Sequence, residues 1–130
     1  PFENRLYGTE LALCQRYYEK SYDQNVAVGT AQASSQSMLD ISVSTSSTAS
    51  FYYQIRFSTV KRADPTIYFW NATSGTANSF SYIRSGVGST AFTPVASYSG
   101  QSCFRLSGNL GAAWALAEVF DGEWAAASEL

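Results

Sequence analysis

Alternation is the strongest signal along this chain. In FYYQIRF, Phe51, Tyr53, Ile55 and Phe57 take every second position, with Tyr52, Gln54 and Arg56 between them. Side chains of a strand point alternately to its two faces, so the spacing predicts a strand with the first set in the core and the second toward solvent. TIYFW reads the same way, with Ile67 and Phe69 on one face and Thr66, Tyr68 and Trp70 on the other. Both of its faces are apolar enough to be covered, and Pro65 just ahead suits a strand start away from the centre of a sheet. Further strands are predicted at 38–43, 79–83, 91–98, 103–106 and 114–120. In the last of these, Glu118 is an awkward member of the set Trp114, Leu116, Glu118, Phe120, which opposes Ala115, Ala117 and Val119. The clusters STSST, NATSGTAN, SGVGST, YSGQS and SGNLGA separate the strands. Loop signals at this spacing predict an all-β sandwich or barrel.

One region departs from the pattern. From Glu10 to about Tyr17 the chain predicts two turns of helix, with Thr9 as N-cap and Glu10 at the positive helix start. Leu11, Cys14 and Tyr18 fall on one face, and Leu13 and Tyr17 form a second apolar pair. A helix this short is marginal alone, so it must lie against something larger. Residues 1–8 read as an extended lead-in, and a chain that begins at Pro1 rather than methionine suggests a further domain upstream.

Composition narrows the function. At 130 residues the chain is long enough for one domain to bury a core without a disulfide or metal. Aromatic residues make up 15%, with nine tyrosines, eight phenylalanines and three tryptophans, more than a compact core alone needs. Tyrosine suits a binding surface because its ring is large, rigid and half polar. The net charge of −2 with no basic stripe lacks the electrostatic footprint of a nucleic-acid binder. No apolar run reaches membrane-spanning length, so no membrane insertion is expected. Cys14 and Cys103 lie far apart in sequence and are able to pair, but nothing marks a secreted disulfide framework, and two reduced, buried thiols are the favoured reading.

Chemistry is sparse. Histidine is absent, which removes the Ser-His-acid triad, the Cys-His pair and histidine metal ligation. The acids Asp64, Glu118, Asp121 and Glu123 are the candidates for a carboxylate pair. Asp121-Gly122-Glu123 is read instead as a turn, because Asp-Gly is a strong turn dipeptide, and Asp64 before Pro65 is read likewise. SGVGST lacks the lysine and the context of a phosphate-binding loop, and Asn71-Ala72-Thr73 fits a glycosylation sequon without a secretory context. The scattered acids make no calcium site, and neither a metal nor a cofactor is expected. Aromatic rings with Asn, Gln, Ser and Thr remain, the chemistry of carbohydrate recognition. Tyr68, Trp70, Asn71, Tyr82 and Tyr98 are the candidate sugar contacts; the competing reading is that these rings fill the core or a subunit interface.

The opening PFENRLYGTELALCQRYYEKSY resembles a segment of bacteriophage tail-fibre and receptor-binding proteins. The resemblance rests on Pro1, Phe2, Glu3 and Arg5, then Glu10, Leu11, Cys14, Gln15, Arg16, Tyr17 and Tyr18. A weaker second match runs through Arg62, Pro65 and Thr66 to Ser74, Gly75 and Thr76, and the final SEL is similar to the usual chain end. Residues 84–113 match only as generic strand and loop. The resemblance implies a β-sandwich placed last in a viral fibre, generally a homotrimer, and it carries no catalytic residues.

Together these readings predict an all-β fold, a jelly-roll-like β-sandwich with one short N-terminal helix. A linker over 1–8 leads from an upstream domain into a single C-terminal domain over 9–130. The expected function is not enzymatic: the distal domain of a tail fibre or tailspike that binds host surface glycan, located on the virion and assembled in the bacterial cytoplasm. The alternative is a structural trimerisation or capping domain without a ligand. A glycan depolymerase using Asp121 and Glu123 ranks third. Arg16 is expected to pair with a carboxylate or with chain carbonyls.

Overall fold

A computed structural model describes residues 6–31, 39–43, 50–84, 88–109 and 118–128, with backbone alone for 39–43, 83, 84, 88, 89, 118 and 119. Among the described residues one helix, α1 (Tyr7–Gln15), is followed by nine strands: β1 (Tyr18–Lys20), β2 (Leu39–Val43), β3 (Ser50–Arg56), β4 (Thr66–Trp70), β5 (Phe80–Arg84), β6 (Gly88–Phe92), β7 (Val95–Ser97), β8 (Cys103–Asn109) and β9 (Glu118–Ala127). They form two antiparallel sheets, so the fold is all-β with one short helix.

The ten-residue β9 is the spine of the larger sheet. Both of its edges are used twice. β1 and β2 pair in succession along one edge, through Lys20↔Ala125 and Asp40↔Asp121. β4 and β5 pair along the other, through Trp70↔Glu123 and Ser81↔Asp121, and β6 extends the sheet beyond β5. The smaller sheet has the order β3-β8-β7.

Aromatic side chains from the two sheets meet in one core. Phe51 of β3 stacks on Phe120 of β9 with centroids 4.6 Å apart. Phe104 of β8 meets Phe69 at 6.1 Å and Trp124 at 5.4 Å. Offset and edge-on ring pairs of this kind add to the gain from burial. Ile55, Leu106, Phe80 and Ala126 complete the cluster.

Several expectations are corrected. α1 starts two residues before Thr9, Leu6 is its N-cap, and no side chain caps it. It buries no residue; Leu11 is half-buried and Cys14 is exposed, so Cys14 is not a buried thiol. Tyr53 shares the inward register of Phe51 and Ile55 but remains exposed; among the described residues β3 is the edge strand of its sheet, paired with β8 alone. The predicted strand over 91–98 is two strands, divided at Thr93 and Pro94 because proline has no N–H for the ladder. Asp121-Gly122-Glu123 is no turn: it lies inside β9, with both acids buried. Gly122 is there because the ring of Phe80 fills its side-chain space; a Cβ would lie 2.2 Å from Phe80 Cδ1. The predicted residues 38, 44–49, 85–87 and 110–117 lie outside the described residues.

Three distant pieces of sequence are fastened together below α1. Lys61, 1% exposed, donates from Nζ to the Gln15 carbonyl at 2.5 Å and to Glu19 Oε2 at 2.6 Å, and lies 4.8 Å from the Phe57 ring centroid. Glu19 also accepts the Ser58 amide and hydroxyl. The Arg62 amide donates to the Arg16 carbonyl at 3.0 Å, and Arg62 Nη1 donates to the Tyr17 hydroxyl at 2.5 Å. At the far end of the chain, the Ser128 amide donates to the Tyr17 carbonyl at 2.7 Å. The segment Gln15–Glu19 is therefore scaffold, held by main-chain and charge-assisted bonds rather than by helix burial.

Candidate functional site

The five predicted contact residues separate into different places. Tyr68 and Trp70 share one face of β4, with ring centroids 6.2 Å apart. Tyr68 is exposed; Trp70 is half-buried, edge-on to Tyr22 at 6.1 Å, and its indole lies 3.4 Å from where a Cβ on Gly29 would stand. Asn71 is buried and fully engaged. Its Oδ1 accepts the amides of Thr73 and Ser74, and its Nδ2 donates to Ser81 Oγ at 2.6 Å. The Asn71 amide that a glycan would join is thus inside the fold. Tyr82 packs against the core, 6.4 Å from the Phe120 ring. Tyr98 alone stands on the other sheet, at the start of the loop between β7 and β8.

The loops that cover Trp70 explain why this face is closed. Gly29 and Gly75 both have positive φ, 79° and 72°, and a Cβ on Gly75 would lie 2.2 Å from the Gly29 carbonyl oxygen. Only glycine allows two backbones this close in that conformation. Beneath them lie Asp121 and Glu123, opposite Ser81 and Trp70 in register. The Ser21 hydroxyl lies 2.5 Å from Glu123 Oε2 and accepts the Trp124 amide at 2.8 Å. Asp121 is 2% exposed and Glu123 0%, so neither carboxylate of this pair reaches a polysaccharide at the surface.

Tyr22 reports the dryness of this layer. Burial is the main cause that pushes its hydroxyl above the ordinary value, and the charges of Glu123 and Tyr18 push the same way. The bond it accepts from the Gly29 amide, at 3.1 Å, opposes them. A raised phenol pKa means that the folded state holds its proton where the unfolded state has lost it. The contribution is therefore complete below the unfolded value near 10 and is lost as pH rises through the folded value. Urea midpoints measured from pH 8 to pH 11 will fall from about pH 10 upward. Tyr22→Phe will show a shallower alkaline fall; an unchanged slope would place the effect elsewhere.

The open aromatic surface lies on the smaller sheet. A depression of about 450 Å³ is lined by Tyr52, Tyr53, Gln54, Tyr98, Cys103, Phe104 and Arg105. Tyr52, Gln54 and Arg105 share the outward face through the pairing Gln54↔Arg105. The Arg105 guanidinium is 4.5 Å from the Tyr52 ring centroid and 4.2 Å from that of Tyr98. Its Nε donates to Ser97 Oγ at 3.1 Å. Gln54 Nε2 donates to Cys103 Sγ at 3.1 Å. Tyr98 is 77% exposed and sits at φ 50°, a conformation that a bulky residue adopts only when its surroundings impose it. Tyr52 is 63% exposed.

Sequence reasoning found Tyr98 and missed Tyr52, Tyr53, Gln54 and Arg105. A usable signal was present. Alternation already sent Tyr52 and Gln54 to the solvent face, and Arg105 stands between the inward Phe104 and Leu106. An outward aromatic and an outward arginine on two strands require only a pairing register to meet.

A second depression, of about 350 Å³, lies between α1 and β1, with Leu11, Cys14 and Tyr18 among its lining residues. Among the described residues there is no group of three or more His, Cys, Asp or Glu side chains able to hold a metal, and no helix long and apolar enough to cross a membrane. Comparison with protein-family models, curated proteins and solved structures finds no match.

Proposed function

We propose that the chain is a non-enzymatic carbohydrate-binding module, the distal domain of a bacteriophage tail fibre or tailspike. In this reading it is a jelly-roll-like β-sandwich that works as a homotrimer on the virion and engages host surface glycan. The observation that carries the binding function is the open shelf of Tyr52 and Tyr98 around Arg105. Exposed rings stack on the apolar faces of sugars, while Gln54 and the guanidinium offer hydrogen bonds to hydroxyls. The viral placement rests on the resemblance of the opening stretch from Pro1 to Tyr18 and, more weakly, of the stretch from Arg62 to Thr76. Affinity at one site is modest, and three copies raise it by avidity.

Retention of the full chain on glycan arrays and on bacterial envelope fractions tests the reading. The Tyr52→Ala/Tyr98→Ala double variant is expected to lose at least tenfold in retention while keeping its circular dichroism. No retention of the unmodified chain on any sugar or envelope fraction would overturn the binding function.

One observation favours the second reading, a trimerisation or capping domain. α1 buries nothing within this chain and leaves Leu6, Tyr7 and Leu13 exposed, apolar surface of the kind that a neighbouring subunit covers. Light scattering separates the two readings: a trimer that retains no sugar supports the structural role, and a stable monomer removes it.

A further inference from the structure

The guanidinium of Arg105 has no role in holding the fold that matches its cost. It is half-buried, and among the described residues no carboxylate pairs with it. Tyrosine rings lie near it at 4.5 and 4.2 Å, which limits water around its faces and restricts its rotation. Its Nε is held by Ser97 Oγ, while Nη1 and Nη2 make no hydrogen bond to any described residue. A planar cation fixed in this way keeps its outer fork ready for two parallel bonds to a planar anion. Partial desolvation by the rings strengthens that attraction relative to open water. The strained backbone at Tyr98 places one of the two rings, so the arrangement is maintained against a conformational cost.

We infer that the Arg105 shelf takes an acidic sugar, a saccharide unit carrying a carboxylate, with the carboxylate on the Nη1/Nη2 edge and the sugar's C–H face against Tyr98 or Tyr52. This deepens the carbohydrate-binding reading and rests on it. The carboxylate is chosen over a phosphate because Arg105 is the one cation among the residues that line the depression; Arg56, two residues beyond Gln54 on the same face of β3, is not in that lining.

The test uses the full chain and a panel of oligosaccharides bearing galacturonate, glucuronate or sialate. Each is paired with its methyl ester, and one sugar phosphate is added. Calorimetry or saturation-transfer NMR is expected to show at least one acid binding about tenfold more tightly than its ester. Arg105→Gln is expected to abolish that preference, and Arg105→Lys to restore part of it. The comparison of acid with ester on the unmodified chain decides the matter even if a variant does not fold. Equal binding of every acid and its ester would overturn the inference and leave the carbohydrate reading standing, as would a sugar phosphate bound more tightly than all the acids. Absence of binding by acids, esters and envelope fractions alike would overturn both.

Discussion

Lys61→Met is expected to destabilise the fold by about 3–5 kcal/mol, the usual cost of removing one partner from a buried ion pair. The Lys61 ammonium satisfies the Gln15 carbonyl at the end of α1 and the Glu19 carboxylate, and its side chain is fully buried. Without it, Glu19 keeps its bonds from Ser58 but loses its counter-charge, and the Gln15 carbonyl loses a charged donor. The stem of methionine fills the space left, so the loss is electrostatic rather than steric. Urea unfolding measures it. Adding Glu19→Gln to Lys61→Met should return part of the lost stability, because no uncompensated charge remains. A midpoint for the single variant equivalent to less than about 1 kcal/mol of loss would mean that the pair contributes little.

Gly122→Ala is expected to cost about 3 kcal/mol, at the upper end for one added methyl in a packed core. The new Cβ would lie 2.2–2.5 Å from three atoms of the Phe80 ring. That ring has no free direction: it is fully buried and edge-on to Phe69 at 5.4 Å and to Phe92 at 6.0 Å. The strain must therefore move β9 relative to β5. Phe80→Leu alone also destabilises by opening a cavity. Combined with Gly122→Ala it should cost less than the sum of the two, because the smaller side chain makes room for the methyl. Strict additivity of the pair in thermal or urea unfolding would show that the two residues do not collide.

Much of the fold was legible because a strand with one buried face writes its period of two directly into the chain. β4 falls on the predicted residues, and β3 differs by one residue at each end. The misreadings have separate causes. Asp-Gly in isolation favours a turn, but Phe80 packs where a side chain at 122 would stand, and a long central strand outweighs a local preference. A short helix is expected to bury a face, which puts Cys14 inward, whereas α1 is fastened through its end, by the Gln15, Arg16 and Tyr17 carbonyls. Trp70 and Asn71 are candidate sugar contacts in the sequence because nothing there announces that the loops at Gly29 and Gly75 close over them.

By itself the chain determined its class: alternating apolar residues dictate pleated layers, Ser- and Gly-rich breaks divide them, and a missing histidine removes whole families of catalysis. Tertiary structure decided which aromatic rings stay wet. That depends on strand register and on edges, since Gln54↔Arg105 pairing brings Tyr52, Arg105 and Tyr98 to one outward surface from positions 52 to 105. Alternation specifies a face for each side chain, but only pairing between distant strands specifies its neighbours.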